Sequence, residues 1–193
     1  MMRVAIAMAC LALSAEVIDR VAVTVGSQVI TTSQIRREIR LTALLNDQTP
    51  DFRAASCRLA AERLADPRLI RREMEGARYP EPAAEAVDAL WRQVDRRAMS
   101  QSGLDEADVR AHLRRQLEVV LFISHRFRPG IQIREEEIEE RMKKTPAETG
   151  LPEEYRLQVE QAMIEERANR LAEQWLKEAR ERTRIEFREE VFK

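Results

Sequence analysis

Val21-Ala22-Val23-Thr24-Val25-Gly26-Ser27-Gln28-Val29-Ile30-Thr31 is the stretch whose reading decides the fold. Val21 to Val25 is made of β-formers, Gly26-Ser27 supplies turn chemistry, and Val29-Ile30 returns as a short second strand. Thr31 to Gln34 then fits a capping box, with a hydroxyl and a glutamine side chain three residues apart, so a helix follows at once. At the far end a long helical run through Trp175 and Leu176 stops near Thr183, and Arg184-Ile185-Glu186-Phe187 reads as another strand. The pattern predicts a mainly α-helical domain whose N-terminal strands and Arg184–Phe187 strand pair in one small sheet.

Between the two ends the apolar spacing is helical. Ile35, Ile39, Thr42 and Leu45 carry the first helix to about Leu45, and Asn46 to Pro50 breaks it. A second helix is expected over Phe52–Leu64. A third is expected to begin at Asp66-Pro67, with proline in its first turn, and to end at Gly76. Tyr79-Pro80-Glu81-Pro82 is a linker. Val87, Leu90, Trp91, Val94 and Ala98 form one stripe, which predicts a single helix over Ala83–Met99, closed by Ser102-Gly103. Asp105 to Phe127 follows, acidic at its start and basic at its finish as the helix dipole prefers. Val109, Leu113, Leu117 and Val120 form its main apolar line, and Val119 to Ile123 is apolar nearly all round. This is expected to be the central helix, enclosed on several sides or lining a groove. Pro129-Gly130 stops it. A short extended piece at Ile131–Ile133, a helix over Glu135–Lys143, a loop over 144–152 and a last helix over Glu153–Arg182 complete the chain.

The 193 residues suffice for one domain with a core. Charged residues make up 35% and aromatics 5%, which suits long solvated helices better than a β-sandwich. A formal net charge of −1 provides no general field to gather nucleic acid or anionic lipid. The basic pairs Arg36-Arg37 and Arg114-Arg115 read as solvated helix faces. Arg3, the apolar run Val4–Leu13 and the small residues Ser14-Ala15 have the form of a secretory signal peptide over residues 1–15. That leaves 16–193 as an exported, periplasmic domain without stable membrane insertion. Cys10 also admits a lipid-attachment reading. With Cys10 removed, Cys57 is the remaining cysteine, expected to be buried and inert, and the fold must rely on packing.

Catalytic chemistry is hard to place. His112 and His125 are the two histidines, thirteen residues apart on one helix. With a single cysteine they make a poor metal set. Ser27 and Ser33 belong to turn and cap chemistry, no glycine-rich phosphate loop is present, and Glu135-Glu136-Glu137 suits a helix N-terminus. The expectation is no catalytic residue, no metal and no cofactor.

Several stretches resemble the SurA-type periplasmic chaperones and their parvulin-associated relatives. Ile18 to Gly26 followed by Val29 to Ile35 is similar to that family's opening strand-turn-strand-helix, with Gln34 where an acid is commoner. Leu104–Phe127 resembles its long helix, and Ile131–Ile138 the element after it, with Arg134 in place of the usual hydroxyl cap. Ala172–Arg180 and Ile185–Phe187 resemble its closing helix and strand. The resemblance implies a SurA/trigger-factor-like peptide-binding domain, in an N-terminal part (16–144) and a C-terminal helix and strand (153–193). The loop over 144–152 stands where the family inserts a parvulin isomerase. It implies an ATP-independent holdase for unfolded exported or outer-membrane polypeptides. Within the same reading Met74, Trp91, Met99, Phe122 and Phe127 are candidates to line the peptide cleft, offering adaptable thioether and aromatic surface. Trp91 and Phe122 also read as core, whereas Met99 and Phe127, near helix ends, suit an exposed rim. Two alternatives stay open: a peptidyl-prolyl isomerase of the same family, and a non-catalytic module that dimerises by exchanging helices or strands.

Overall fold

The computed structural model describes residues 19–144 and 152–193. The expected signal peptide and most of the expected 144–152 loop lie outside the described residues. Among the described residues, three strands and seven α-helices follow in the order β1 (Val21–Val25), β2 (Gln28–Thr31), α1 (Thr32–Leu45), α2 (Ala54–Glu75), α3 (Ala84–Trp91), α4 (Arg96–Ser102), α5 (Glu106–Phe127), α6 (Glu135–Lys144), α7 (Pro152–Arg182) and β3 (Ile185–Phe187). The protein is mainly helical, with one small antiparallel sheet.

The sheet order is β2-β1-β3, so the two ends of the chain meet in it. β1 and β2 form a hairpin in which Val25 faces Gln28 across a Gly26-Ser27 loop. Gly26 takes φ +59°, a left-handed conformation that costs a residue with a Cβ about 1–2 kcal/mol. Its N–H donates to the Arg184 carbonyl at 2.9 Å, which ties the turn to the start of β3. Val23 then pairs with Phe187 and Val25 with Ile185. Thr31 caps α1 through a reciprocal box: its hydroxyl accepts from the Gln34 N–H, and the Gln34 side chain accepts from the Thr31 N–H.

Ala22, Val23 and Ile30 are fully buried and pack with Ile35 and Ile39 of α1, Ala60, Ala61, Ala65 and Leu69 of α2, Ala179 of α7 and the C-terminal Phe192. The run of alanines lets α2 approach the sheet closely. Each Val or Ile side chain withdrawn from water here contributes about 1.5–3 kcal/mol before chain entropy is subtracted. Arg58 stacks on the Phe187 ring at 3.8 Å and pairs with Glu189 at 2.6 Å, closing the C-terminal segment onto α2. A second cluster joins Leu41 of α1 to Val87, Trp91, Val94, Leu104, Val109 and Leu113. A third centres on Phe122, fully buried against Tyr79, Phe127 and Trp175. α5 therefore touches α2, α3 and α7 and is the central helix of the body.

Two helix boundaries differ from the sequence pattern. The expected break at Asp66-Pro67 is absent, and α2 runs through Pro67. Proline withholds the N–H that would bond the Arg63 carbonyl and leaves that one helix bond unmade. Burial of Ala65, Leu69 and Ile70 on either side of the proline holds the helix in one piece. Conversely, the expected single helix over Ala83–Met99 is two. α3 ends at Trp91, and Asp95 caps α4 by accepting from the N–H groups of Arg97 and Ala98. The cap chemistry of Asp95 outcompetes the continuous stripe. Gly103, at φ +69°, ends α4.

A chain ending at Thr183 loses β3, the Phe187 partner of Val23 and the buried Phe192. It is expected to keep helical circular dichroism but lose cooperative urea unfolding. A sharp transition near the full-length midpoint would show that the terminal strand is dispensable.

Candidate functional site

A cleft of about 750 Å³ opens between α1, α2 and α5 beside the β2 edge. Its position follows from the fold: β2 lies at the sheet edge, α1 leaves β2 directly, and α2 and α5 flank it. The apolar part of its wall includes Val29, which is 46% exposed, with half-buried Leu64, Pro67 and Val119. Gln28 and Val29 bring strand backbone to the rim, and the Val29 carbonyl accepts from Arg68 at 3.2 Å.

The polar part of the wall is ordered by charge pairs between helices. Glu38 lies on the buried face of α1, beside Ile35, Ile39 and Leu41, and meets His112 of α5: its Oε2 lies 3.3 Å from His112 Nδ1. Both side chains are nearly inaccessible, 11% and 8% exposed, so each depends on the other for a polar partner. One turn away Arg37 pairs with Asp108 at 3.1 Å. Across the cleft Arg71 of α2 pairs with Glu118 of α5 at 2.8 Å. Arg68 hydrogen-bonds the Leu64 and Val29 carbonyls and, at 2.9 Å, the Gln34 side chain. All three acceptors are neutral. Burial and the neighbouring charges of Arg115 and Arg71 push the Arg68 pKa down. Burial likewise lowers Arg115, partly offset by Glu38 at longer range. The Arg114-Arg115 pair is thus split: Arg114 is exposed as expected, whereas Arg115 turns into the cleft and is half-buried.

The five candidate peptide-binding residues lie outside the lining of this cleft and fall in separate groups: Trp91 with Met99, Phe122 with Phe127, and Met74. Trp91 is 4% exposed in the second core cluster, with the Arg96 guanidinium 4.4 Å from its ring centre. Met99 is half-buried against the same cluster. Phe122 is fully buried, its ring 5.0 Å from Trp175 and 5.8 Å from Phe127, which is itself half-buried. Met74 is half-buried near the end of α2. The core reading fits the burial of Trp91 and Phe122, and Met99 and Phe127 are half-buried beside them. The part of α5 expected to be enclosed is one-sided: Phe122 is inside, but Val120 is 59% exposed.

Sequence reasoning missed the residues that do line the cleft. One signal was available: Glu38 falls on the apolar stripe of its helix, where an unpaired carboxylate would be costly. Arg68 and Arg115 had no such mark, because arginine at helical spacing is ordinarily a solvated face.

Other polar features have local explanations. Glu135 pairs with Arg156, and Glu137 with Arg167, joining α6 to α7; a hydrogen bond from the Arg156 side chain holds the Glu135 carboxyl below the usual range, and hydrogen bonds from the Arg134 N–H and then the Arg167 side chain do the same for Glu137. Cys57 is half-buried, not enclosed, and its thiol contacts the Phe52 carbonyl at 3.3 Å. Burial pushes that thiol's pKa up, away from a reactive thiolate. Among the described residues, no three His, Cys, Asp or Glu side chains are grouped to hold a metal ion, and no helix is long and apolar enough to cross a membrane.

No protein-family model matches this chain, and no curated protein is detectably similar to it. The site is therefore read from its own residues.

Two measurements check the assignments made above. Phe122→Ala is expected to destabilise the protein by about 3–5 kcal/mol in urea unfolding, and Val120→Ala by less than about 0.5 kcal/mol. Similar small losses at both would mean that Phe122 is surface-lining. Glu38→Ala, which strands His112, is expected to cost about 1–3 kcal/mol, and adding His112→Leu to recover part of it. Simple additivity of the two changes would show that the pair does not interact.

Proposed function

We propose that this chain is an ATP-independent, SurA-type holdase that binds unfolded exported polypeptides in the cleft between α1, α2 and α5. The observation that carries the reading is the placement of that cleft: an edge strand, exposed apolar surface and charged groups line one concavity of about 750 Å³. An extended polypeptide offers apolar side chains on alternate residues and free backbone groups between them, and such a surface meets both without reading a strict sequence. The closure of the sheet by the two chain ends agrees with the architecture that the SurA resemblance implies. Holding would be weak and rapidly reversible, since ordering a flexible client offsets much of the contact energy. The reading is non-catalytic: residues 145–151 alone join α6 to α7 where the family places a parvulin domain. It places the protein in the periplasm, as the signal-like first fifteen residues suggest.

One observation favours the assembly-module alternative. Leu157, Ile164 and Leu171 recur at seven-residue spacing along α7, with Leu157 49% and Leu171 43% exposed. A heptad stripe of this kind suits pairing of two long helices. Molar mass by light scattering separates the two readings.

The holdase reading is tested by diluting a urea-denatured outer-membrane protein into buffer with and without the purified chain. Suppression of light scattering at near-stoichiometric amounts is expected. Val29→Glu, in the cleft, is expected to weaken it several-fold, while Leu157→Glu, on α7, leaves it intact. No suppression by a folded, monodisperse sample would overturn the reading, and proline-isomer turnover by the same sample would establish the isomerase in its place.

A further inference from the structure

The cleft's charges do not balance locally. Five arginines line it, with Glu38, Glu75 and Asp108. Asp108 is taken by Arg37 and Arg71 is satisfied by Glu118, while Glu38 lies against His112 and its charge also favours Arg115 at longer range; Glu75, exposed at the rim, has no ion-pair partner among the described residues. Among the described residues, Arg63, Arg68 and Arg115 have no carboxylate within ion-pair distance, although Arg68 and Arg115 are half-buried. Among the described residues Arg115 has no hydrogen-bond or ion-pair partner, and Glu38 and Glu118 act on it only at longer range. Burying two guanidinium groups near each other, facing a third cation at Arg71, is unfavourable in the protein alone. A guanidinium stays charged under these conditions, so the cost cannot be relieved by losing a proton.

We propose that Arg68 and Arg115, with Arg63 at the mouth, form an oxyanion site in the cleft that takes the carboxylate side chains of an acidic, extended polypeptide. Carboxylate and phosphate share the chemistry that planar, bidentate guanidinium donors recognise. The polypeptide source is favoured because a bare anion would leave the adjoining apolar wall of Val29, Leu64 and Val119 without a partner. The edge strand beside Arg68 adds a place for extended backbone to lie. The proposal rests on the client-holding reading for the identity of its ligand, and it names the class of client segment: acidic side chains spaced by small or apolar ones.

The test is a fluorescence-anisotropy titration of the purified chain with a labelled, capped peptide alternating alanine and glutamate. Its glutamine counterpart and inorganic phosphate as competitor form the other arms. The glutamate peptide is expected to bind about tenfold or more tightly than the glutamine peptide at low salt, and to weaken steeply as salt rises. Arg115→Gln is expected to abolish the difference, and Arg115→Lys, which keeps the charge but loses the fork, to restore part of it. Arg63→Gln, at an exposed position, gives a smaller loss in the same direction if the Arg115 variants unfold. Equal binding of the two peptides, or a preference untouched by Arg115→Gln and Arg63→Gln, would overturn the proposal. So would arginine-dependent binding of phosphate with no binding of the glutamate peptide. The two readings fail separately: loss of the holdase shows in the scattering assay while peptide discrimination persists, and loss of the site shows in the titration while scattering is still suppressed.

Discussion

β1 lies between β2 and β3, and its burial is the constraint on which the rest of the structure depends. Val23 has no exposed surface because β3 covers one side of its strand and α2 its face. The partners on one side are a few residues away across a tight turn, and those on the other are the last residues of the described chain. The sheet therefore closes only when segments more than 150 residues apart in sequence, roughly the whole described chain, are brought together. Such closure over most of the chain length carries an entropic cost that local contacts do not, so the terminal strand is the natural late step of folding.

Charge does a different job from apolar burial in this protein. With 35% of its residues charged, the chain covers its helices with ion pairs. Most of these are exposed, and pairs of that kind contribute a fraction of a kcal/mol each. Their value is directional: Arg180 with Asp66 sets α7 against α2, and Arg141 with Glu166 sets α6 against α7. Buried polar groups are rarer and more consequential. Glu38 and His112 fix how α1 meets α5, while Arg68 serves two backbone carbonyls and a glutamine and so holds α2 to the edge of the sheet. The proposed cleft is what remains between these fixed points.

Pro67 shows how tertiary packing overrides a local signal. A proline after aspartate is a sound reason to start a helix, and the chain does not use it so. Burial of Ala65, Leu69 and Ile70 along one face outweighs a single lost hydrogen bond. The break between α3 and α4 is the mirror case. The apolar stripe continues through Val94 and Ala98, yet Asp95 ends one helix and caps the next because two N–H groups gain a charged acceptor.

Sequence alone determined the elements whose signals are local. The strand-turn-strand opening, the Thr31–Gln34 box, α1, α5, α6, α7 and the closing strand follow from alternation, capping chemistry and helical spacing, which act over a few residues. The pairing of the chain ends was also legible, because two short strands flanking a helical middle have few other partners. The candidate cleft was not legible. Trp91 and Phe122 drew attention as large aromatics, but a large apolar side chain at helical spacing marks the interior as readily as a groove. Which of the many arginines face inward depends on how three helices cross, and helical spacing leaves that undecided. Tertiary structure decided it by bringing Arg68 and Arg115 from α2 and α5 to one concavity, since the rotation of each helix about its axis is set by the core residues on its opposite face.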